Sequence, residues 1–451
     1  MPQQTRPIFT NHQLVTLLWP LVIEQALSVL VGMADTVMVS SAGEAAISGV
    51  SLVDMINQLI ITVFAALATG GAVVTSQYLG AQKPKDAARS AGQLVTLSAL
   101  AGAGIAALCL VFCRALLRLF FGTITADVMQ AAVLYFTITA LSFPFLALYN
   151  AGAAIFRSVG NSAVSMKVSV LINLINFCGN ALCVYGLHMG VAGVAVPTLV
   201  SRAVGAVVIL ALAARPDFAL RITWRSVAQL QRGTVRSILA IGLPSACENS
   251  LFQLGRVLVV SMISLFGTVH ITANAVANNL DGVGCIIGNA MCLGMITVVG
   301  RCVGAQDFAQ AARYAKKLLL WDYIAQGAVN AAMLAMLTPL LGLYTLSAET
   351  QALSAQLVWI HAGFCILLWP LAFVLPNALR AANDVRFTMI VSVASMLVWR
   401  LGFSQILCVQ LGWGALGVWW AMILDWVCRL LCFVIRFASG AWKKHAAKAL
   451  T

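Results

Sequence analysis

The residues of this chain that could do chemistry are acids standing where acids do not belong. Glu24, Asp35, Asp54, Glu248, Asp281 and Asp425 all fall inside long apolar stretches. An acid at the centre of a membrane helix costs about 2.5–3.5 kcal/mol on insertion scales, so each such residue is a functional candidate by default. A carboxyl in low dielectric without a fixed partner favours its protonated form, and can therefore take up and release a proton or hold a cation. Glu24 and Asp35 are eleven residues apart, close to three helical turns, which puts them on one face about 16 Å from each other. Asp54 and Asn57 are spaced i, i+3, as are Asn278 and Asp281, so each pair shares a helix face. Asn173, Asn176 and Asn180 form a polar stripe at spacings of three and four. Their carbonyl oxygens suit a hard cation beside a carboxylate, or hydrogen bonds between helices. The structural alternative for each acid is an ion pair with Arg202, Arg256 or Arg400, but three arginines cannot neutralise six acids.

Enzymatic constellations are missing from the sequence. Gly-x-x-x-x-Gly-Lys-Ser/Thr does not occur, so no ATP-driven mechanism is indicated. His12, His188, His270, His361 and His445 are dispersed without zinc or triad spacing, and no Cys-x-x-Cys is present. The twelve cysteines, with Cys109/Cys113 and Cys428/Cys432 at helical spacing, read as small apolar packing residues. The expectation is a protein that is not an enzyme and needs no cofactor.

The elements that must position these residues follow from composition. The 451 residues are 61% hydrophobic and 9% charged, against roughly 25% charged in a soluble chain. A bilayer-spanning helix takes about 20 apolar residues, and twelve stretches qualify: 14–40, 47–74, 91–113, 130–152, 162–186, 189–213, 237–265, 270–298, 315–340, 354–378, 387–409 and 412–437. The net charge of +13 reports topology and not a nucleic-acid partner. Of the 27 Lys and Arg, 22 flank the even-numbered span ends or the termini, and only Arg114 and Arg118 lie in the odd-numbered connections. Both termini are therefore expected in the cytoplasm.

An internal repeat organises the spans. A shift of 224 residues places Pro20 on Pro244, Glu24 on Glu248, Gly80-Ala81-Gln82 on Gly304-Ala305-Gln306, and Gly190 and Gly193 on Gly414 and Gly417. A shift of 223 places Arg157 on Arg380 and Met166 on Met389. The fold class is thus an all-α polytopic membrane protein, with twelve transmembrane helices in two pseudo-symmetric six-helix bundles, 1–214 and 237–451. The Arg-rich segment 215–236 joins them as a cytoplasmic linker and is expected to lie as an amphipathic helix on the anionic inner surface. Parallel six-span halves are an arrangement associated with transporters. Pro20, Pro144, Pro197, Pro244, Pro370 and Pro376 are expected to bend helices. Phe143, Tyr149, Phe252 and Trp369 are candidates for lining a cavity that accepts flat organic cations.

Several motifs together resemble the multidrug and toxic compound extrusion (MATE) family, within the larger group that includes polysaccharide and lipid flippases. They are Met33-Ala34-Asp35-Thr36 followed by Val37-Met38-Val39, Ser76-Gln77-Tyr78-Leu79-Gly80-Ala81, Phe156-Arg157-Ser158, Gly190-Val191-Ala192-Gly193-Val194-Ala195 and Leu379-Arg380-Ala381. The resemblance covers roughly 10–440. It implies two bundles around a central cleft that rock between inward-open and outward-open forms, exporting organic cations or amphipathic compounds in exchange for H+ or Na+. It implies a cation-coupling set of Asp35, Asn176, Thr198 and the position of Asn180, where the family carries an acid, with Na+ as the metal that set would take. The exchange of that acid for Asn180 removes one charge and favours a proton on Asp35. In another branch coupling involves Glu248, whose usual acidic partner on the tenth span falls near Trp369 and is absent. Glu24, Asp54, Asn57, Asn278 and Asp281 would then form a polar cavity. The partners implied are small organic molecules and the lipid bilayer of a bacterial inner membrane, with no nucleic acid, for a chain expected to work as a monomer. The alternative within the same superfamily is a lipid-linked oligosaccharide flippase, whose anionic cargo calls for a basic cavity where this chain leans acidic.

The charge asymmetry makes a direct prediction. A reporter active only in the cytoplasm is expected to be active when fused after Arg232 and silent when fused after Gly122; the opposite pattern inverts the topology.

Overall fold

The computed structural model describes residues 7–40, 44–122, 125–344 and 346–447, without the side chains of 33–37, 39–40, 44–45 and 224–225. The described residues are helical, with no strand among them, as hydrocarbon demands of a chain whose backbone groups must be satisfied within each segment. The chain divides into two compact units, one of residues 11–246 and one of residues 1–10 with 247–451.

In the first unit the helices are α1 (Asn11–Ser40), α2 (Glu44–Gly80), α3 (Pro84–Val111), α4 (Cys113–Phe121), α5 (Ala126–Leu141), α6 (Phe143–Val159), α7 (Ser162–Ala181), α8 (Ala192–Ala213) and α9 (Trp224–Ala228). Helix α10 (Arg232–Ser264) runs from this unit into the second. There follow α11 (Thr268–Gly284), α12 (Ile286–Gly304), α13 (Phe308–Ala335), α14 (Leu337–Leu341), α15 (Ala348–Trp369), α16 (Leu375–Ala381), α17 (Val385–Ser395), α18 (Ala415–Ala438) and α19 (Trp442–Ala447).

Ten of the described helical stretches are long and apolar enough to cross a bilayer unaided, and α5 with α6 forms an eleventh, bent by 44°. The bend falls at Ser142, where Pro144 in the first turn of α6 has no N–H with which to continue the hydrogen-bond ladder of α5. Helix α10 completes the twelve: its 33 residues are more than long enough at 1.5 Å each, but Glu248, Asn249, Gln253 and Arg256 dilute its apolar character. Pro20, Pro197 and Pro244 lie within the unbroken helices α1, α8 and α10. Pro370 instead opens a π-helical turn, Pro370–Val374, inside the tenth span.

The repeat is written into the backbone. Left-handed residues stand at Gln82 (φ 57°) and Gln306 (φ 56°), at Gly160 (φ 90°) and Asn383 (φ 64°), at His188 (φ 51°) and Gly412 (φ 72°), and at Gly190 and Gly414 (φ 58° each). Each pair obeys the 223–224 shift. The two members of one pair close their helices in the same way: Gly160 N–H donates to Arg157 O at 2.9 Å and Asn161 N–H to Phe156 O at 3.0 Å, while Asn383 and Asp384 donate to Arg380 O and Leu379 O, both at 3.0 Å. This is the Schellman closure, which uses a left-handed residue to satisfy the last carbonyls of a helix.

The linker differs from its expectation. Within 215–236 only Trp224–Ala228 and the start of α10 from Arg232 are helical, and the strap is bonded to α3 through its own backbone. Gln93 Nε2 donates to Ser226 O (3.0 Å) and Gln229 O (2.7 Å), Gln93 Oε1 accepts from Gln231 N–H (3.0 Å), and Thr96 Oγ1 donates to Val227 O (2.6 Å). In the second unit, the N-terminal segment is fixed to α13: Ile8 N–H donates to Gln310 Oε1 at 3.0 Å and Tyr314 Oη donates to Phe9 O at 2.6 Å. Arg301 covers the Phe9 ring at 5.4 Å.

Close helix packing depends on small residues, and α3 provides a matched test. A Cβ on Gly102 would lie 2.7 Å from Pro144 Cα, whereas one on Gly104 meets nothing within 4 Å. Gly102→Ala is expected to destabilise by about 1–3 kcal/mol through overpacking. Gly104→Ala is expected to be neutral or to stabilise by up to about 1 kcal/mol. Thermal unfolding of both variants in detergent checks this, and equal midpoints would remove the packing argument.

Candidate functional site

Two of the membrane acids are locked in the same way, one in each unit. Glu24 on α1 accepts from Arg157 Nη1 on α6 at 3.4 Å and from Ser165 Oγ on α7 at 3.0 Å. Glu248 on α10 accepts from Arg380 Nη2 on α16 at 2.7 Å, and Arg380 Nη1 donates to Asn377 Oδ1 at 2.8 Å. All four side chains are nearly buried, with 8–13% of their surface exposed. Both arginines sit in the last turn of their helices, just ahead of the matched left-handed closures. For the two glutamates the expected arginine partners are corrected: they pair with Arg157 and Arg380, which the sequence places among the cytoplasmic positive charges, while Arg202 donates to Ser142 Oγ at 2.8 Å and Arg400 lies over the Phe252 ring at 5.0 Å.

In the first unit the structure brings Asn176, Asn180 and Thr198 together. Asn180 Nδ2 donates to Asn176 Oδ1 (3.2 Å), Asn176 Nδ2 to Thr198 Oγ1 (3.0 Å), and Thr198 Oγ1 to Val194 O (3.0 Å). Asn173 instead donates to Ser169 Oγ at 3.5 Å along its own helix. The Asn–Asn–Thr chain supplies neutral oxygens suited to a hard cation, while its expected charge, Asp35, has a side chain outside the described residues. Asp54 accepts from Asn57 Nδ2 (3.2 Å) and Tyr135 Oη (3.1 Å).

The second unit holds what the sequence reading missed. His361, in the middle of α15 and 2% exposed, meets Asp281 through Nε2 at 2.6 Å; a histidine at the centre of a span was the available signal. Asn278 Nδ2 turns to Asn274 O at 2.7 Å. Asp322 on α13 is fully buried, and neither carboxylate oxygen has a hydrogen-bond partner among the described residues. With Gln326 and Asn330 it forms a buried stripe at i, i+4 and i+8, a pattern as visible in sequence as the asparagines of α7. Asp425 is buried against Arg429 Nε (2.9 Å) and Ser395 Oγ (2.6 Å).

The aromatic candidates are not gathered in one place. Phe143 is fully buried in the core of the first unit, edge-on to Phe64 at 6.3 Å. Tyr149 packs beside the Phe156–Val168 cluster. In the second unit Phe252 faces the guanidinium groups of Arg400 and Arg429 at 5.0 and 5.5 Å, and Trp369 stacks on Phe373 at 5.1 Å. A concavity of about 1080 Å³ in the first unit is lined instead by residues that include Arg114, Arg118, Gln130 and Thr137.

The sequence model of the MatE family matches the chain twice, over residues 20–182 and 244–405. The chain belongs to the MatE family. The two matches begin 224 residues apart and end 223 apart, the shifts that relate the glutamates and the arginines. As a MatE protein it is a multi-pass membrane transporter. It is 29% identical over 445 residues to an uncharacterized transporter, YisQ, of Bacillus subtilis, covering 97% of this chain and 96% of that one. It is 24% identical to a probable multidrug resistance protein, NorM, of Thermotoga maritima, covering 97% and 94%. Its fold is that of an outward-facing multidrug resistance MATE family transporter of the MOP superfamily, with TM-score 0.89, 22% identity and 96% of each chain covered.

Removing one member of a buried ion pair leaves an uncompensated charge and typically costs about 3–5 kcal/mol, while removing both costs far less. Arg380→Ala is therefore expected to lower the detergent unfolding midpoint sharply, with Glu248→Gln recovering most of the loss. The shorter Glu248–Arg380 contact should show a larger coupling in a double-mutant cycle than Glu24–Arg157. Additive effects at both sites would mean that neither pair matters.

Proposed function

We propose that this MatE protein is a secondary active multidrug efflux antiporter of the bacterial inner membrane. It exports organic cations or amphipathic compounds in exchange for H+ or Na+, acting as a monomer with both termini in the cytoplasm. The observation that carries this reading is the double family match across a chain whose relatives include probable multidrug resistance proteins. Those names speak for drug efflux over the flipping of lipid-linked oligosaccharides.

The division of labour we assign rests on charge accounting. Asp35 is the leading coupling group, because the neutral oxygens of the Asn176–Asn180–Thr198 chain can orient a small cation but cannot balance one. The lack of a second carboxylate at Asn180 favours a proton there over Na+. Glu248 is already neutralised by Arg380, so a cation that uses Glu248 must displace a guanidinium. We assign the pair the role of a contact broken and remade during transport. Asp322, buried and unbonded, joins Asp35 and Glu248 as a third coupling candidate. Exchange of one monocation for another moves no net charge; any other ratio draws on the membrane potential at about 2.3 kcal/mol per charge per 100 mV.

The test is efflux of a panel of organic cations from proteoliposomes, driven separately by imposed Na+ and H+ gradients. The H+ gradient is expected to drive export and Asp35→Asn to abolish it while the protein remains inserted and folded. Export indifferent to both gradients would overturn antiport, and wild-type transport by Asp35→Asn would remove that residue from the mechanism.

A further inference from the structure

The second unit contains a group of soft metal ligands unrelated to the coupling set. Cys285, at the break between α11 and α12, faces His361 and Cys365 on α15, and the two sulfurs and one imidazole nitrogen lie within 4.8 Å of one another. Two i, i+4 pairs build the group, Asp281 with Cys285 and His361 with Cys365, each placing two side chains on one helical face. All the cysteines are free thiols. Cys365 is fully buried and Cys285 partly so.

Three details point to a ligand. His361 Nε2 is engaged by Asp281 Oδ1, leaving Nδ1 buried without a hydrogen-bond partner among the described residues. A histidine held by a carboxylate through one nitrogen, with the other available, is the arrangement that orients imidazole ligands on metals. Gln326 donates through Nε2 to Cys365 Sγ at 3.2 Å, while its own Oε1 is likewise buried and unbonded. The imidazole is boxed edge-on by Trp419 at 5.7 Å and Trp426 at 5.0 Å, so the ring is held in place. In tetrahedral zinc sites Zn–S is about 2.3 Å and Zn–N about 2.0–2.1 Å, which puts donor atoms roughly 3.4–3.8 Å apart. The three donors here lie within 4.8 Å of one another, at most about 1 Å above the upper end of that range.

We propose that Cys285, His361 and Cys365 form a binding site for a soft divalent metal ion, Zn2+ or a close chemical relative, with Asp281 holding the imidazole and Gln326 beside Cys365. Two thiolates and an imidazole select such an ion over the hard Na+, so the site is separate in kind from a coupling-ion site. It also departs from the repeat: the 224 shift places Asn57, Ile61, Thr137 and Leu141 at the equivalent positions of the first unit, which cannot reproduce it. Binding expels the thiol protons and ties the α11–α12 break to α15, adding to the Asp281–His361 contact that already joins α11 to α15.

The test uses the full chain purified in detergent with a non-thiol reductant. Equilibrium dialysis against Zn2+ is expected to load about one ion per chain, as a single three-ligand site requires, and Co2+ in its place should give a thiolate-to-cobalt charge-transfer band. Both signals should vanish in Cys285→Ser/Cys365→Ser, and Asp281→Asn should weaken binding by about 10–100-fold. A wild-type readout guards against misfolding of the variants: Zn2+ should protect Cys285 and Cys365, among the twelve cysteines, from alkylation in peptide mapping. Loading no greater than in the double variant, a Co2+ spectrum without a thiolate band, or a Cys285–Cys365 disulfide under reductant would each overturn the site.

Discussion

A carboxylate inside a bilayer can be balanced only by what the same bundle provides, since hydrocarbon offers it neither water nor counterion. Glu24 and Glu248 answer this constraint with a guanidinium delivered from the last turn of another helix. The position of that guanidinium is in turn fixed by the left-handed residue that stops the helix just beyond it, Gly160 in one unit and Asn383 in the other. Acid, arginine and helix closure thus form one device, and it recurs at the spacing of the repeat. Other membrane acids fall into other classes: Asp425 bonded along its own helix to Arg429, Asp281 held by a histidine, and Asp322 without a hydrogen-bond partner among the described residues. It is this unevenness, and not the presence of acids in the membrane, that distinguishes groups with a structural duty from groups available for exchange.

Much of the architecture was legible in sequence because hydrocarbon imposes one dominant rule. Twelve apolar stretches and the 224-residue repeat follow from it, and the family match reproduces the same shift. Pairing was less legible. Arg157 and Arg380 were counted with the cytoplasmic positive charges because they lie at span ends, where a long side chain that reaches inward cannot be told from one that reaches water. The clue was already there, since the shift that superposed Glu24 on Glu248 also carried Arg157 to Arg380. Asn176, Asn180 and Thr198 meet as their spacing suggested. Asp322 and His361 are separated from their neighbours by dozens of residues, and no local spacing announces that α11, α13 and α15 bring them into one region of the second unit.

The halves of the chain are alike in backbone and unlike in chemistry. Where α2 carries Asn57 and Ile61, the corresponding turn of the second unit carries Asp281 and Cys285, and α15 meets them with His361 and Cys365. Gene duplication gives two copies of a scaffold, after which each can drift toward its own polar interior so long as the packing is kept. In the first unit that interior includes the amide and hydroxyl chain of Asn176, Asn180 and Thr198; in the second it includes imidazole, thiol and a carboxylate without a hydrogen-bond partner among the described residues. Reading one half by analogy with the other would miss both.

The docking of residues 8 and 9 on Gln310 and Tyr314 sets an order of events during synthesis. Residues 8 and 9 find their partners only after some three hundred further residues have been made, so this segment waits, undocked, while the first unit is synthesised. The contact therefore joins a segment made before the first unit to a helix made after it, and a nascent protein halted between them would be recognisable by residues 8 and 9 left undocked.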